Sequence, residues 1–410
     1  MQLTFWGVRG SAPAPERDAW RYGGNTPCLE IRDSDNQIFI LDAGTGIRDL
    51  GRQLLADFAT PNLQANLLFT HYHWDHVQGL PFFEPLYFQG NSFNIFGPHP
   101  QADAPSSLAG VLHVLFRSPF FPISTSALKS HYSLQELDWS SDFTLGATRI
   151  RTCRLNHPQG ALAYRLENRG AAIVFATDHE PGNEECDRAL LQLARGAHLL
   201  IADAQYRPEE LGAQKAGWGH SSWRAAAELA RAAEVKNLFL FHHDPTRTDL
   251  EIDECLQQAR RLFPSTWAAA EGMRLQVTRR QVRLDTRSHR LSQRAPVHWP
   301  VQVETREQGV RVREEARVEN ISFQGAFFVS PRHYDLQQPL ELTLPLPPRG
   351  QGNGNGAEAP TPPEIRLRGY VVRTEPQTTN GGWVGVGVVF PGSRLAHSTP
   401  PPHTAPTDAD

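Results

Sequence analysis

The chain has 410 residues, 40 % of them hydrophobic and 20 % charged, with a formal net charge of −4. That length predicts two or three domains of ordinary globular composition, and the slightly acidic balance argues against a nucleic-acid coat protein or a membrane-surface binder. Cys28, Cys153, Cys186 and Cys255 lie far apart with no CxxC pair, which predicts free thiols in a reducing compartment. The N-terminal MQLTFWGVRGSAPAP lacks a charged segment followed by an apolar run, so no signal peptide is expected. No apolar stretch approaches the ~18 residues of a membrane span, so a cytoplasmic protein without a membrane partner is expected.

From Met1 to about Glu271, short apolar runs alternate with helical patterns, as in an α/β fold. The runs Gln37–Leu41, Asn66–Phe69, Ala172–Ala176, His198–Ala202 and Asn237–Phe241 are too short for core helices and read as buried strands. Trp223 to Val235 is Ala-rich with helical spacing, and Ser221 or Ser222 is its expected N-cap. Each run leads into a polar residue suited to metal binding or proton transfer: Asp42, His71, Asp178, Asp203 and His242. Sites in layered α/β folds form at strand ends, where loops diverge, so five such coincidences predict one shared site.

Thr278 to Arg294 carries six arginines against one aspartate and is expected to separate two domains. The predicted organisation is a first domain over 1–272, a linker over 273–286, a β domain over 287–395 and a disordered tail over 396–410. Val301–Glu304 and Val384–Phe390 alternate like strands, and Pro348–Pro363 reads as a low-complexity loop. No internal repeat is visible.

His71, His73, Asp75 and His76 fall within six residues after a predicted strand. Imidazole suits zinc, manganese or iron, and a carboxylate adds a harder, charged ligand. In an extended loop His71 and His73 can share one ion, leaving Asp75 and His76 to face a second.

HYHWDH resembles the HxHxDH signature of the metallo-β-lactamase superfamily. The resemblance continues in order through His157, Asp178 and His242, with His243 open as an alternative to His242. It implies a four-layer αββα hydrolase with a two-metal site: His71, His73, Asp75, His76, His157, Asp178 and His242 as ligands, and Asp42 orienting the metal loop. Zinc is the expected ion, with manganese and iron open.

Gly219-His220-Ser221 resembles a motif of the phosphodiesterase branch, which includes transfer-RNA 3′-processing enzymes. In that branch the motif histidine pairs with an acid, here Asp203, so His220, Asp203 and Asp75 are the expected catalytic residues. Gly7–Ser11 and Tyr22–Thr26 also look like this branch, and Arg9 or Asn25 is a candidate phosphate or nucleotide contact. The first domain has no long Gly/Pro-rich arm and no basic patch. A small cyclic nucleotide or cyclic phosphate ester is therefore expected rather than a large nucleic acid. Pro81–Phe83 and Phe116–Pro122 are either core or an apolar wall over the site. A lactone or thioester hydrolase remains the rival enzyme.

Arg290 and Arg294 have RxxxR spacing, and Asn320-Ile321-Ser322-Phe323-Gln324-Gly325 follows. The pair resembles the PilZ domain, which implies a small β-barrel binding cyclic di-GMP through Arg290, Arg294, Asn320, Ser322 and Gly325. Guanidinium groups stack on guanine and fork onto phosphate. The expectation is a hydrolase regulated by cyclic di-GMP. The rival outside enzymes is a cyclic di-GMP effector whose metallo domain serves as a partner-binding platform. Homodimerisation is left open.

Overall fold

A computed structural model describes the chain except residues 58–61, 102–104, 213–214, 286–294, 308–309, 323–324, 336–337, 346–363, 377–383 and 390–410. The chain divides into two compact units, Met1–Leu291 and Ser292–Asp410. The loop expected over 348–363 and the tail expected over 396–410 lie outside the described residues.

In the first unit, β1 (Gln2–Gly7), β2 (Cys28–Arg32), β3 (Ile38–Leu41), β4 (Gln64–Leu68), β5 (Ser92–Pro98) and β6 (His131–Leu137) belong to one sheet. β7 (Asp142–Leu145), β8 (Thr148–Leu155), β9 (Ala161–Asn168), β10 (Ala171–Ala176), β11 (Leu199–Asp203), β12 (Leu238–Phe241) and β13 (Thr266–Ala268) make the other. β14 (Arg274–Val277) and β15 (Val282–Leu284) return to the first, giving the order β15-β14-β1-β2-β3-β4-β5-β6 against β13-β12-β11-β10-β9-β8-β7. β3 to β6 run parallel, as do β10 to β13.

Strand periodicity builds the layers. Phe39 and Leu41 of β3, Ile173 and Phe175 of β10, and Phe239 and Phe241 of β12 meet in the core between the sheets. Their alternate neighbours face outward onto helices. The first helices are α1 (Ile47–Asp57), the single-turn α2 (Trp74–Val77) and α3 (Leu108–Leu115). Ile38 and Ile40 share a cluster with Leu50 and Leu54 of α1 and Leu112 of α3. Val174, Leu238 and Leu240 pack against α4 (Glu184–Ala194), α5 (Trp223–Ala232) and α6 (Asp249–Leu262). The result is the expected αββα sandwich. Ala226, Ala227 and Ala230 let α5 approach its sheet closely, and the Ser222 hydroxyl caps it by accepting from the Ala225 N–H at 3.3 Å. All four cysteines are buried and unpaired. Among the described residues no helix is long and apolar enough to cross a membrane.

The stretch 273–286, expected as a linker, is a correction. β14 pairs with β1, Leu3 opposite Leu275, and Leu275 and Val277 are buried in the inter-sheet core. β15 completes a hairpin with β14. The arginine content drew attention from a period-two apolar pattern that starts before it.

The second unit is a closed barrel of β16 (Ala295–Glu307), β17 (Val310–Ser322), β18 (Gly325–Ser330), β19 (Pro339–Pro345), β20 (Glu364–Pro376) and β21 (Val384–Val389), in the order β16-β17-β18-β21-β20-β19. Val301, Val318, Phe328, Leu342 and Val386 fill it. Closure leaves no open sheet edge.

Candidate metal centre

The parallel strands β3, β4, β10, β11 and β12 end on the same side, and the polar residues that follow them converge. Asp42, Asp178 and His242 adopt φ of 59°, 58° and 59°. Such left-handed backbone is disfavoured for any residue bearing a Cβ. Here each closes a buried strand and directs its side chain into the common site. Asp42 accepts from the Thr70 N–H at 2.7 Å and from His76 Nδ1 at 2.8 Å, tying the end of β3 to the loop after β4.

The ligand atoms of His71, His73 and His157 lie within 4.8 Å of one another, and so do those of Asp75, His76, Asp178 and His242. Asp178 stands between the groups. Its Oδ1 is 3.4 Å from His76 Nε2 and 3.3 Å from His242 Nε2, and its Oδ2 is 3.7 Å from the Nε2 of both His71 and His157.

The outward ring nitrogens are held by acceptors. His71 Nδ1 meets Thr70 Oγ1 at 3.0 Å, His73 Nε2 meets Gln159 Oε1 at 2.9 Å, His157 Nδ1 meets the Gly219 carbonyl at 2.9 Å, and His242 Nδ1 meets Gln205 Oε1 at 2.9 Å. Protons drawn outward leave lone pairs aimed inward. His71 Nε2 is buried with no hydrogen-bond partner. His157 Nε2 faces His73 Nδ1 at 3.0 Å, and His242 Nε2 faces His76 Nε2 at 3.3 Å. Nitrogen atoms facing each other across so short a gap, beside the buried carboxylates of Asp42, Asp75, Asp178 and Asp203, call for positive charge. The donor set suits a dinuclear metal site.

Electrostatics agree. Burial would raise the Asp178 carboxyl, yet the His242, His76 and His71 rings hold it well below the usual carboxylate range. Burial, reinforced by His76, pushes His71 well below the ordinary histidine value, and burial takes His157 down to about 4. Both stay neutral and available as donors.

Above this cluster, Asp203 joins β11 to the loop that precedes α5. Its Oδ2 accepts from the Asp178 N–H at 3.1 Å and His220 Nδ1 at 2.9 Å, and its Oδ1 from the N–H groups of Gln205 at 3.0 Å and Ser221 at 3.1 Å. Burial disfavours a charged His220, but Asp203 outweighs it and lifts that ring to about 9. The His220 ring stacks on His242, with centroids 5.0 Å apart. Gly219 has φ +86°, and a Cβ there would come within 1.9 Å of His157 Nδ1. Only glycine fits where the carbonyl must reach that ring. Asp203, expected among the catalytic groups, holds His220 Nδ1, and with Asp178, His220 and His242 it makes a further group whose ligand atoms lie within 4.8 Å of one another.

Of the paired alternatives, His242 enters the cluster. His243 turns away, donating Nε2–H to the Ala269 carbonyl at 3.0 Å, and burial drops its ring to about 3. Arg9 and Asn25 do not face a substrate. Arg9 is fully buried, donating to the carbonyls of Gly23, Asp244 and Arg247. Asn25 Nδ2 donates to Glu271, and its Oδ1 accepts from Thr45. Phe83 and Phe116 are core, whereas Phe82 and Phe120 are exposed. Sequence reading missed Thr70, Gln159, Gln205 and Ser11, whose N–H donates to Asp75 Oδ2 at 2.8 Å. Gln205 carries a weak signal two residues beyond Asp203, Thr70 one beside His71, and Ser11 one at the end of the Gly7–Ser11 segment; Gln159 carries none, because its contact with His73 is non-local.

In the barrel, Arg290 and Arg294 lie outside the described residues. Asn320 and Ser322 end β17 and Gly325 opens β18, with Ser322 opposite Gly325. Ala295, the first residue of β16, pairs with Ile321. The backbone thus sets the start of β16 beside the Asn320–Ser322 segment.

A family model described as a β-lactamase superfamily domain matches residues 38–243, and a PilZ domain model matches residues 285–397. The chain is 26 % identical over 331 residues to ribonuclease Z of Thermoplasma acidophilum, covering 68 % of this chain and 96 % of the relative. It is 25 % identical over 308 residues to ribonuclease Z of Enterococcus faecalis, covering 65 % and 94 %. A solved metallo-β-lactamase fold protein of Bacillus subtilis superposes with a TM-score of 0.51 at 17 % identity, covering 68 % of this chain and 98 % of that one. With a matching model spanning half of its length, this chain belongs to the metallo-β-lactamase superfamily, as a ribonuclease Z-like metal-dependent hydrolase carrying a C-terminal PilZ domain.

Proposed function

We propose that the protein is a two-metal phosphodiesterase for a small cyclic nucleotide or cyclic phosphate ester, with cyclic di-GMP at the barrel modulating the activity. The observation that carries the reading is the His220–Asp203 pair beside the His/Asp clusters. His71, His73 and His157 would hold one ion, and Asp75, His76 and His242 the other, with Asp178 shared; zinc fits this donor set best. Bound ions of this kind activate water and neutralise charge on phosphate oxygens.

The protein's own groups supply the rest. Asp203 accepts a hydrogen bond from His220 Nδ1–H and keeps the ring charged. Nε2–H is then free to hold a phosphate oxygen or protonate the leaving oxygen. A phosphodiester carries a negative charge that a lactone or thioester lacks, and a cation beside the centre complements it, which favours the phosphodiester. The ribonuclease Z relatives favour a second reading, a phosphodiester within an RNA chain.

For regulation, the support is the PilZ match and the RxxxR and NxSxxG motifs at Arg290, Arg294, Asn320, Ser322 and Gly325. The test is hydrolysis of bis-p-nitrophenyl phosphate, a thioester and a panel of cyclic nucleotides by metal-loaded protein, with and without cyclic di-GMP. Phosphodiester turnover that shifts with cyclic di-GMP is expected. Thioester turnover alone refutes the substrate assignment. A metal-loaded protein inert on every ester, yet binding cyclic di-GMP, makes the metallo domain a platform instead.

A further inference from the structure

The metal loop carries one exposed aromatic that binding and catalysis leave unused. In the single turn of α2, Asp75 and His76 point inward and are buried, while Trp74 between His73 and Asp75 is 56 % exposed. An exposed aromatic carries meaning where it belongs to a patch rather than standing singly. Trp74 is not alone. Phe120, 62 % exposed, meets it with ring centroids 6.3 Å apart.

The turn that presents Phe120 is anchored. Phe121 packs edge-on against core Phe116 and against Phe82, at 5.8 and 5.5 Å, and the N–H groups of Phe120 and Phe121 both donate to the Arg117 carbonyl. With Phe121 holding the turn to the core, Phe120 is left to project. Arg117, exposed in the same turn, has no ion pair among the described residues. Two adjoining exposed aromatic rings, with an exposed arginine in the turn that carries one of them, are the elements of a nucleotide-stacking platform: each base offers a π-face, and a guanidinium meets phosphate.

We infer that Trp74 and Phe120 form a stacking platform for an unpaired nucleobase next to the scissile phosphodiester, with Arg117 facing a neighbouring phosphate. The inference rests on the phosphodiesterase reading and sharpens it: the substrate is a nucleotide, not a simple phosphate ester.

The test compares zinc-loaded protein on thymidine 5′-(p-nitrophenyl phosphate) and on ethyl p-nitrophenyl phosphate, which share a leaving group but differ in the base. Trp74→Leu and Phe120→Leu are expected to lower the ratio of kcat/KM for the first ester over the second by about tenfold, within the range for one base–aromatic stack. The loss should lie mainly in KM, and Trp74→Phe should restore the ratio. In parallel, 5′-AMP should quench tryptophan fluorescence more in the native protein than in Trp74→Phe, with ribose 5-phosphate showing no such difference. Phe120 lies outside the metal loop, so its variant keeps the test valid if Trp74→Leu fails to load zinc. An unchanged ratio in Phe120→Leu together with equal quenching overturns the proposal and assigns the patch to a protein partner. Base-dependent quenching without hydrolysis of either ester upholds the platform and defeats the phosphodiesterase reading alone.

Discussion

Replacing Asp203 with asparagine tests how the site is held together. The carboxylate is buried and accepts four N–H donors, from Asp178 and His220 on Oδ2 and from Gln205 and Ser221 on Oδ1. An amide has one oxygen. Whichever way the new side chain turns, its NH2 group meets two donors that have no other acceptor in reach. A buried donor left unsatisfied costs about 1–3 kcal/mol, so two predict about 2–6 kcal/mol of lost stability. At about 2–4 °C per kcal/mol, the unfolding midpoint should fall by about 4–24 °C. Activity should fall further than stability explains, because His220 loses the charge that keeps it protonated; a drop of about 100-fold in kcat matches the loss of one general acid. Circular dichroism melting and bis-p-nitrophenyl phosphate kinetics at a temperature where the variant is fully folded separate the two effects. A midpoint within about 2 °C of the native protein and an unaltered kcat would refute the reasoning.

Four further outcomes are expected. His242→Ala should lose about one equivalent of bound metal by elemental analysis, whereas His243→Ala should keep its metal and lose about 1–3 kcal/mol of stability with the Ala269 contact. Gly219→Ala should weaken metal retention against a chelator at least tenfold, because the new methyl displaces His157. Arg9→Leu should destabilise by several kcal/mol in denaturant titration, since it orphans the buried carbonyls of Gly23 and Arg247, and should leave KM unchanged in the folded fraction. Glu271 gives a pH signature. Burial raises its carboxyl from 4.5 to about 7. A raised acid holds its proton longer in the folded state, so its contribution declines as pH rises from 4.5 towards 7. The melting temperature of the native protein minus that of Glu271→Gln should therefore fall across that window, and a flat difference contradicts the assignment.

Much of the architecture was legible because it is local. The five buried strands that lead into the site announced themselves by length and by Val, Ile, Leu and Phe content, and Ser222 announced α5 by its type and position. The HYHWDH run was legible because its donors lie within one turn of chain. The run 273–286 was misjudged as a linker because the pairing of β14 with β1 joins residues 270 to 274 apart, a partnership no local pattern displays.

Residue types and order therefore determined by themselves that this chain would carry a His/Asp centre at the ends of parallel strands, with a second, β-rich domain after it. The tertiary structure decided which neighbour faces inward. His242 and His243 are adjacent and chemically identical. The left-handed turn at His242 sends one ring into the cluster and the other towards Ala269. It also decided that Arg9 is buried cement and that Trp74 is left in the open. Orientation and burial depend on what packs across from a residue, and that partner is set by the fold, not by the adjoining sequence.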